Sequence, residues 1–71
     1  MTVFSKVKQT LDTLKGAQGT LRIYSIQERD EKAKAAYDKA LEVTHEIIED
    51  IEDIEARVQT LELEEPQYKE N

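Results

Sequence analysis

The sequence predicts an all-α protein: an antiparallel helical hairpin with a long second helix, dimerising into a four-helix bundle. Three observations lead to this fold class. Charged residues make up 37% of the chain, and strong helix breakers occur only at Gly16, Gly19 and Pro66. Two heptad ladders of apolar residues run along the chain, each typical of a helix that faces another helix. The first ladder does not continue in phase into the second, which indicates a turn between two helices.

We expect residues 1–71 to form a single domain, because a chain of 71 residues is short for more than one. A chain of this length buries only about 60% of the surface that it exposes when unfolded. It contains no cysteine, so neither a disulfide nor a thiolate-bound metal can stabilise it. Oligomerisation is the remaining common way for so short a chain to gain stability, and we therefore expect a homodimer.

The first helix is expected over about residues 3–26. Its seam follows alternating steps of three and four residues, through Phe4, Val7, Leu11, Leu14, Gln18 and Leu21. One flank of the seam is widened by Val3, Thr10, Ala17 and Tyr24, and the other flank is lined by Lys8, Lys15 and Arg22. Such an amphipathic helix buries its apolar stripe and keeps its basic edge in water.

A competing interpretation ends this helix at Gly16 and treats Thr20 to Ile26 as a β-strand, because polar and apolar residues alternate there. A lone strand would leave its backbone groups unpaired unless another chain supplied a partner. The helix is therefore preferred. Gly16 and Gly19 weaken it by about 1 kcal/mol each relative to Ala, and both fall away from the seam.

The turn is expected at about residues 25–30, where two residues could cap the start of the second helix. Ser25 precedes Glu28 at the spacing of a capping box, and Asp30 directly precedes another acidic residue. Both are good N-cap residues, and we prefer Asp30.

The second helix is expected over about residues 30–65, where Pro66 stops it, with an extended tail over residues 66–71. Its ladder passes through Ala33, Tyr37, Ala40, Thr44, Ile47, Ile51, Ile54, Val58 and Leu61. The apolar stripe is broad up to Ile51, which is typical of a helix with two or more neighbours, and narrow beyond it. In the tail, Tyr68 belongs either to an extended recognition element or to a disordered end.

Folding the chain back at the turn predicts which residues of the two helices face each other. Phe4 would meet Ile51, and the second helix would then extend about three turns beyond the first. We predict that these turns form the dimer interface, through Ile51, Ile54, Val58 and Leu61. Alternatively, the end of the second helix folds back onto its own hairpin and hides the same residues.

The sequence contains no pattern of catalytic residues, so we expect a protein that is not an enzyme and binds no cofactor. It lacks both cysteine and a glycine-rich phosphate loop. Glu42, His45, Glu46 and Glu49 resemble part of the Glu-x-x-His motif of di-iron bundles. Their ladder positions point outward, whereas di-iron ligands point into the core, so we interpret them as a solvated surface. A bundle that binds a small ligand or a divalent metal is the alternative function.

Charge is distributed unevenly along the chain. Residues 1–26 carry four Lys or Arg and one Asp, a formal charge of +3, whereas residues 27–71 carry six basic and fifteen acidic residues, a charge of −9. An acidic chain is repelled by phosphates, so nucleic-acid binding is not expected. The basic flank of the first helix could lie on an anionic membrane, but burial of this helix against the acidic one is preferred.

We expect a cytoplasmic protein. No segment approaches the roughly 20 apolar residues of a membrane-spanning helix. The start of the chain also lacks the apolar stretch of a secretory signal.

Two segments resemble a known family, namely TVFSKVKQTLDTLKGAQ at residues 2–18 and RVQTLELEEPQYK at residues 57–69. It is a small helical family of unknown function from endospore-forming bacteria, whose members are often encoded beside a spore membrane-channel operon. The ending from Glu64 to Lys69 is the most specific part of the resemblance, and Gly19 and Arg22 depart from the family pattern. The resemblance implies a sporulation context, in the forespore or spore, and a spore membrane protein as partner.

Taken together, the patterns predict a non-enzymatic, self-associating helical module that acts through protein contacts. Self-association follows from the ladders and the short chain, and the sporulation context follows from the resemblance alone.

Overall fold

The computed structural model describes residues 2–64, which form two α-helices, α1 over Val3–Gln27 and α2 over Glu31–Glu64. The two helices pack against each other as a hairpin, which confirms the predicted all-α class. Thr20 to Ile26 lie inside α1, so the strand interpretation of this segment is wrong. The predicted stop at Pro66 and the tail at residues 66–71 lie outside the described residues.

Local contacts define both ends of α1. The Thr2 hydroxyl accepts a hydrogen bond from the Ser5 backbone N–H at 3.0 Å and is the N-cap. At the other end, Glu28 has an extended backbone, and its N–H donates to the Tyr24 carbonyl at 3.0 Å. The helix therefore ends at Gln27, inside the segment that was expected to turn.

The connection between the helices is short and well hydrogen-bonded. The Asp30 carboxylate accepts a bond from the Ala33 backbone N–H at 2.9 Å, which confirms Asp30 as the N-cap of α2. The Glu28 carboxylate accepts bonds from the N–H groups of Arg29 and Asp30, both at 3.0 Å. Ser25 lies inside α1 and does not cap α2, so the capping-box alternative is wrong.

The seam between the helices is centred on Leu11 of α1 and Ile48 of α2, the two buried apolar side chains of the described chain, which are 3% and 5% exposed. The α1 side of the seam follows its predicted ladder, whose members are all buried or half-buried. On α2 the predicted ladder is half-buried except at Ile47 and Ile54. The helix is rotated slightly relative to that ladder, because Ile48 is buried while Ile47 is 42% exposed. Glu55 is half-buried where the ladder would put Ile54. The broad apolar stripe of α2 permits this rotation, since it exchanges one apolar row for another.

The alignment of the helices along their axes also differs from the predicted one. Lys6, Val7 and Thr10 of α1 lie beside Ile51 and Ile54 of α2, and Tyr24 contacts Tyr37. The prediction instead put Ile51 level with Phe4. The helices are therefore displaced by about one heptad, or roughly 10 Å at 1.5 Å per residue.

This displacement shortens the part of α2 that extends past α1. In the observed alignment Val58 lies level with the first turn of α1, and both Val58 and Leu61 are half-buried. The prediction of about three projecting turns is thus wrong, and about one turn extends further. The physical reason is that heptad ladders repeat every seven residues, so a slide of one heptad still brings apolar residues together.

Candidate interaction face

A groove opens between the two helices on one side of the seam. It has a volume of about 250 Å³ and is lined by Lys6, Val7 and Thr10 of α1 and by Ile51 and Ile54 of α2. The Thr10 hydroxyl donates to the Lys6 carbonyl at 3.0 Å, so this polar group is satisfied within α1. The groove therefore offers a mainly apolar surface.

The groove belongs to a longer surface, which we call the apolar face. Its α1 row is Val3, Thr10, Ala17 and Tyr24, and its α2 row is Ala40, Val43, Ile47 and Ile54. Thr10 and Ile54 meet in the groove, which puts both rows on the same side of the hairpin. Val43 and Ile47 are each 42% exposed, and Ile54 is 49% exposed. Contiguous apolar side chains with this exposure are typical of a protein-contact surface.

The apolar face is uncovered because the described hairpin is a single layer of helices. Its principal dimensions are 52 × 17 × 10 Å. An amphipathic helix is stable only when its apolar side packs against another element. On the seam side α2 packs against α1, but among residues 2–64 no other element lies over the apolar face.

The opposite side of the seam carries the charged face, with the basic flank of α1 beside acidic residues of α2. Lys15 pairs with Glu52 at 3.3 Å. His45 Nε2 lies 2.7 Å from a carboxylate oxygen of Glu49, one turn further along α2. All four side chains are substantially exposed, so water solvates the charges and each pair contributes little to stability.

The four residues that resemble part of a metal motif are on the outside of the hairpin, as expected. Glu42, His45, Glu46 and Glu49 are all exposed. Glu42 pairs with Lys39 at 3.6 Å. Within residues 2–64, the side chains of His, Asp and Glu form no group of three or more that could hold a metal ion.

A polar cluster lies at the closed end, where the two helices join. The buried Ser25 hydroxyl donates a hydrogen bond to the Asp38 carboxylate. The Lys34 ammonium donates to the Ser25 carbonyl at 3.2 Å. Beside this cluster, the rings of Tyr24 and Tyr37 are 5.9 Å apart. Sequence reasoning missed Ser25 as a seam residue, although it lies four positions after Leu21 and so continues the ladder of α1.

The four predicted interface residues occupy two environments. Ile51 and Ile54 come together in the groove, with Ile51 half-buried and Ile54 exposed. Val58 and Leu61 are half-buried. Sequence reasoning missed Val43 as a member of an exposed apolar row and assigned Ile47 to the seam. The broad apolar stripe of α2 was the feature of the sequence that could have indicated a second apolar surface.

Neither of the described helices combines the length and the apolar character that crossing a bilayer would require.

Comparison with known proteins connects the chain to a family. Residues 7–54, more than half of the chain, match the family described as protein of unknown function (DUF1657). No curated protein and no solved structure matches the chain. The matched span begins at Val7 and ends at Ile54, which both line the groove, and the ending from Glu64 to Lys69 lies outside it. The chain therefore belongs to the DUF1657 family of proteins of unknown function.

Proposed function

We propose that the protein is a non-enzymatic helical interaction module that self-associates by packing two apolar faces together into a four-helix bundle. The observation that supports this function is the uncovered apolar face on a hairpin of two helices. Ile51 and Ile54 are part of the proposed interface, as the sequence predicted. Val58 and Leu61 are half-buried beside the first turn of α1, and they lie at the edge of the proposed interface.

The small core of the hairpin favours association. Among the described residues, Leu11 and Ile48 are the only buried apolar side chains, and neither is fully buried. A chain of this length rarely obtains enough stability from a single small core. Covering Val43, Ile47 and Ile54, which are now about half-exposed, would contribute about 1 kcal/mol for each.

The size of the apolar face suits a second copy of the chain. The face extends for about 32 Å along α1, from Val3 to Tyr24. The hairpin is 17 Å wide. Length times width gives a flat area of roughly 540 Å², which leaves out the extra surface of protruding side chains. Stable interfaces bury about 800 Å² per partner. Two such faces together give roughly 1,080 Å², which is just above the roughly 1,000 Å² at which a specific interface begins.

Sedimentation equilibrium of the wild type and two variants tests this function. The wild type should be a dimer at micromolar concentration. The variant Ile47→Asp/Ile54→Asp puts charge into the apolar contact, which costs several kcal/mol of association, and should be a helical monomer. The control is Ile23→Asp, the same change at an isoleucine that is 55% exposed and lies outside both rows of the face.

The control should keep the mass of the wild type. A wild type that is monomeric at high micromolar concentration would contradict the proposal. A double variant that keeps the wild-type mass would show that the apolar face is not the interface.

We extend the proposal to the cellular context that the resemblance implies: the bundle acts in sporulating cells and contacts a spore membrane protein. The support is the similarity of residues 2–18 and 57–69 to a family from endospore-forming bacteria. The amount of protein should rise when the host enters sporulation. Equal amounts in growing and sporulating cells, measured by immunoblot, would contradict this context.

A further inference from the structure

We infer that the second copy docks with its closed end beside the closed end of the first, so that α1 of each copy lies on α2 of the other. The closed end is the connection at residues 28–30 between the helices. The inference rests on the proposed function and deepens it by giving the orientation of the partner copy. The sizes of facing residues, the charges of the helices and two-fold symmetry support it.

The two rows of the apolar face are matched in height along the hairpin. Thr10 and Ile54 line the same groove and lie at about the same level. Because the helices run in opposite directions, a step of seven residues moves along each by about 10.5 Å and keeps the level. The further level pairs are Ala17 with Ile47, and Tyr24 with Ala40.

Each of these three levels combines one small and one large side chain, whereas the next level, Val3 with Leu61, combines two large ones. Along α1 the row reads small, small, large, through Thr10, Ala17 and Tyr24. Along α2 it reads large, large, small at the same levels, through Ile54, Ile47 and Ala40, and Val43 lies between the last two levels. When α1 lies on α2 of the second copy with the closed ends together, the levels coincide and large side chains face small ones, as dense packing requires. Ile47 then fills the space above Ala17 of the partner subunit.

The opposite orientation, with the two closed ends far apart, stacks each helix on its own copy. Around a two-fold axis at the middle level, Ala17 would face Ala17 of the partner subunit and Ile47 would face Ile47 of the partner subunit. The first contact leaves a gap and the second is overfilled. Gaps and overfilled contacts both destabilise packed helices.

The charges of the helices favour the same orientation. α1 carries four basic residues and one acidic residue, a formal charge of +3, and α2 carries four basic and eleven acidic residues, a charge of −7. Stacking α2 on its own copy brings two strongly acidic helices together. Placing α1 on α2 of the partner gives each acidic helix two basic neighbours, and complementary charges favour that arrangement.

Two-fold symmetry then specifies the position of the closed ends. Most homodimers are related by a two-fold axis. For two hairpins packed face to face, the axis that puts α1 on α2 of the partner runs parallel to the helices. A rotation about this axis leaves heights unchanged, so both connections lie at the same end of the bundle.

Distances between spin labels test the orientation, and the absence of native cysteine makes single labelling sites simple to introduce. A label on Arg29→Cys, at the exposed closed end, should give an inter-subunit distance below about 30 Å. In the opposite orientation the same labels would be at least about 36 Å apart, because Arg29 lies twelve residues beyond the axis at 1.5 Å per residue. A label on Glu46→Cys, at mid-height and exposed, is the control, since helices packed about 10 Å apart bring it within about 30 Å in either orientation.

A long distance for the Arg29→Cys label with a short one for the Glu46→Cys label would overturn the orientation and leave self-association intact. If neither position gives an inter-subunit distance and sedimentation shows a monomer, the proposed function is wrong as well.

A second variant gives an independent measurement. Ala17→Leu should weaken association at least about fivefold, because the added atoms meet Ile47 of the partner subunit in a filled space. In the opposite orientation the same change would fill the gap between the two Ala17 positions and strengthen association. Tighter association of this variant would therefore contradict the inferred orientation.

Discussion

The apolar face and the charged face are built on the same two helices and the same seam, but they differ in what completes them. On the charged face, Lys15 pairs with Glu52 and water solvates the exposed charges. On the apolar face, Ile47 and Ile54 are 42% and 49% exposed. Water satisfies a charged surface, whereas apolar surface is stabilised only by being removed from water. This difference is the reason that we propose the apolar face, and not the charged face, as the interface.

The largest expected effect is a difference in stability cost between substitutions at two adjacent isoleucines, one in the seam and one on the apolar face. Ile48 is 5% exposed, so Ile48→Ala should create a cavity and lower the free energy of unfolding of the hairpin by about 2–4 kcal/mol. Ile47→Ala should change the same quantity by less than about 1 kcal/mol and weaken association instead. Urea unfolding followed by circular dichroism, at a concentration where the chain is monomeric, measures both. Equal costs for the two variants would show that the seam and the apolar face are not separate surfaces.

A smaller effect is expected on the outer surface of α1, away from the apolar face. A Cβ added at Gly16 or Gly19 would have no atom within 4 Å. Gly16→Ala and Gly19→Ala should each stabilise the helix by about 1 kcal/mol, because alanine loses less backbone entropy on folding. The melting temperature should rise while the association constant stays unchanged. A change in association would mean that this surface also contacts the partner.

The smallest effect is expected on the charged face. The side chains of Lys15 and Glu52 are 49% and 47% exposed, so water already screens their pairing. Lys15→Ala should lower the free energy of unfolding by less than about 0.5 kcal/mol. Its effect on association should be as small, because the variant leaves both rows of the apolar face intact. A loss above about 2 kcal/mol would indicate that the charged face is packed against something rather than solvated.

Features that depend on neighbouring residues could be predicted from the sequence. Asp30 was identified as the N-cap because its carboxylate serves a backbone N–H only three residues away. The α1 seam, with Leu11 at its centre, was identified from the spacing of its apolar residues. The exposure of Glu42 and His45 followed from the same periodicity. Each of these depends on helical geometry within a few turns, which sequence spacing specifies directly.

The candidate interaction face was harder to predict, because it depends on which of two apolar rows of α2 enters the seam. Ile47 and Ile48 have the same side chain, and periodicity alone assigned the first to the seam. The structure buries the second. Ile54 was predicted as an interface residue for a different reason, as part of projecting turns, and it lies in the groove instead.

The sequence by itself determined that this protein is two helices joined by a short turn, with apolar ladders that oblige the helices to pack. Helix periodicity and capping are local properties, so they can be predicted from the sequence without knowing the tertiary structure. The tertiary structure decided the alignment and the rotation of α2, because apolar ladders pair nearly as well after a slide of one heptad. The contacts of Ser25 with Asp38 and of Tyr24 with Tyr37 hold the observed alignment. These contacts join residues thirteen positions apart in the sequence, so they exist only when the two helices have already come together.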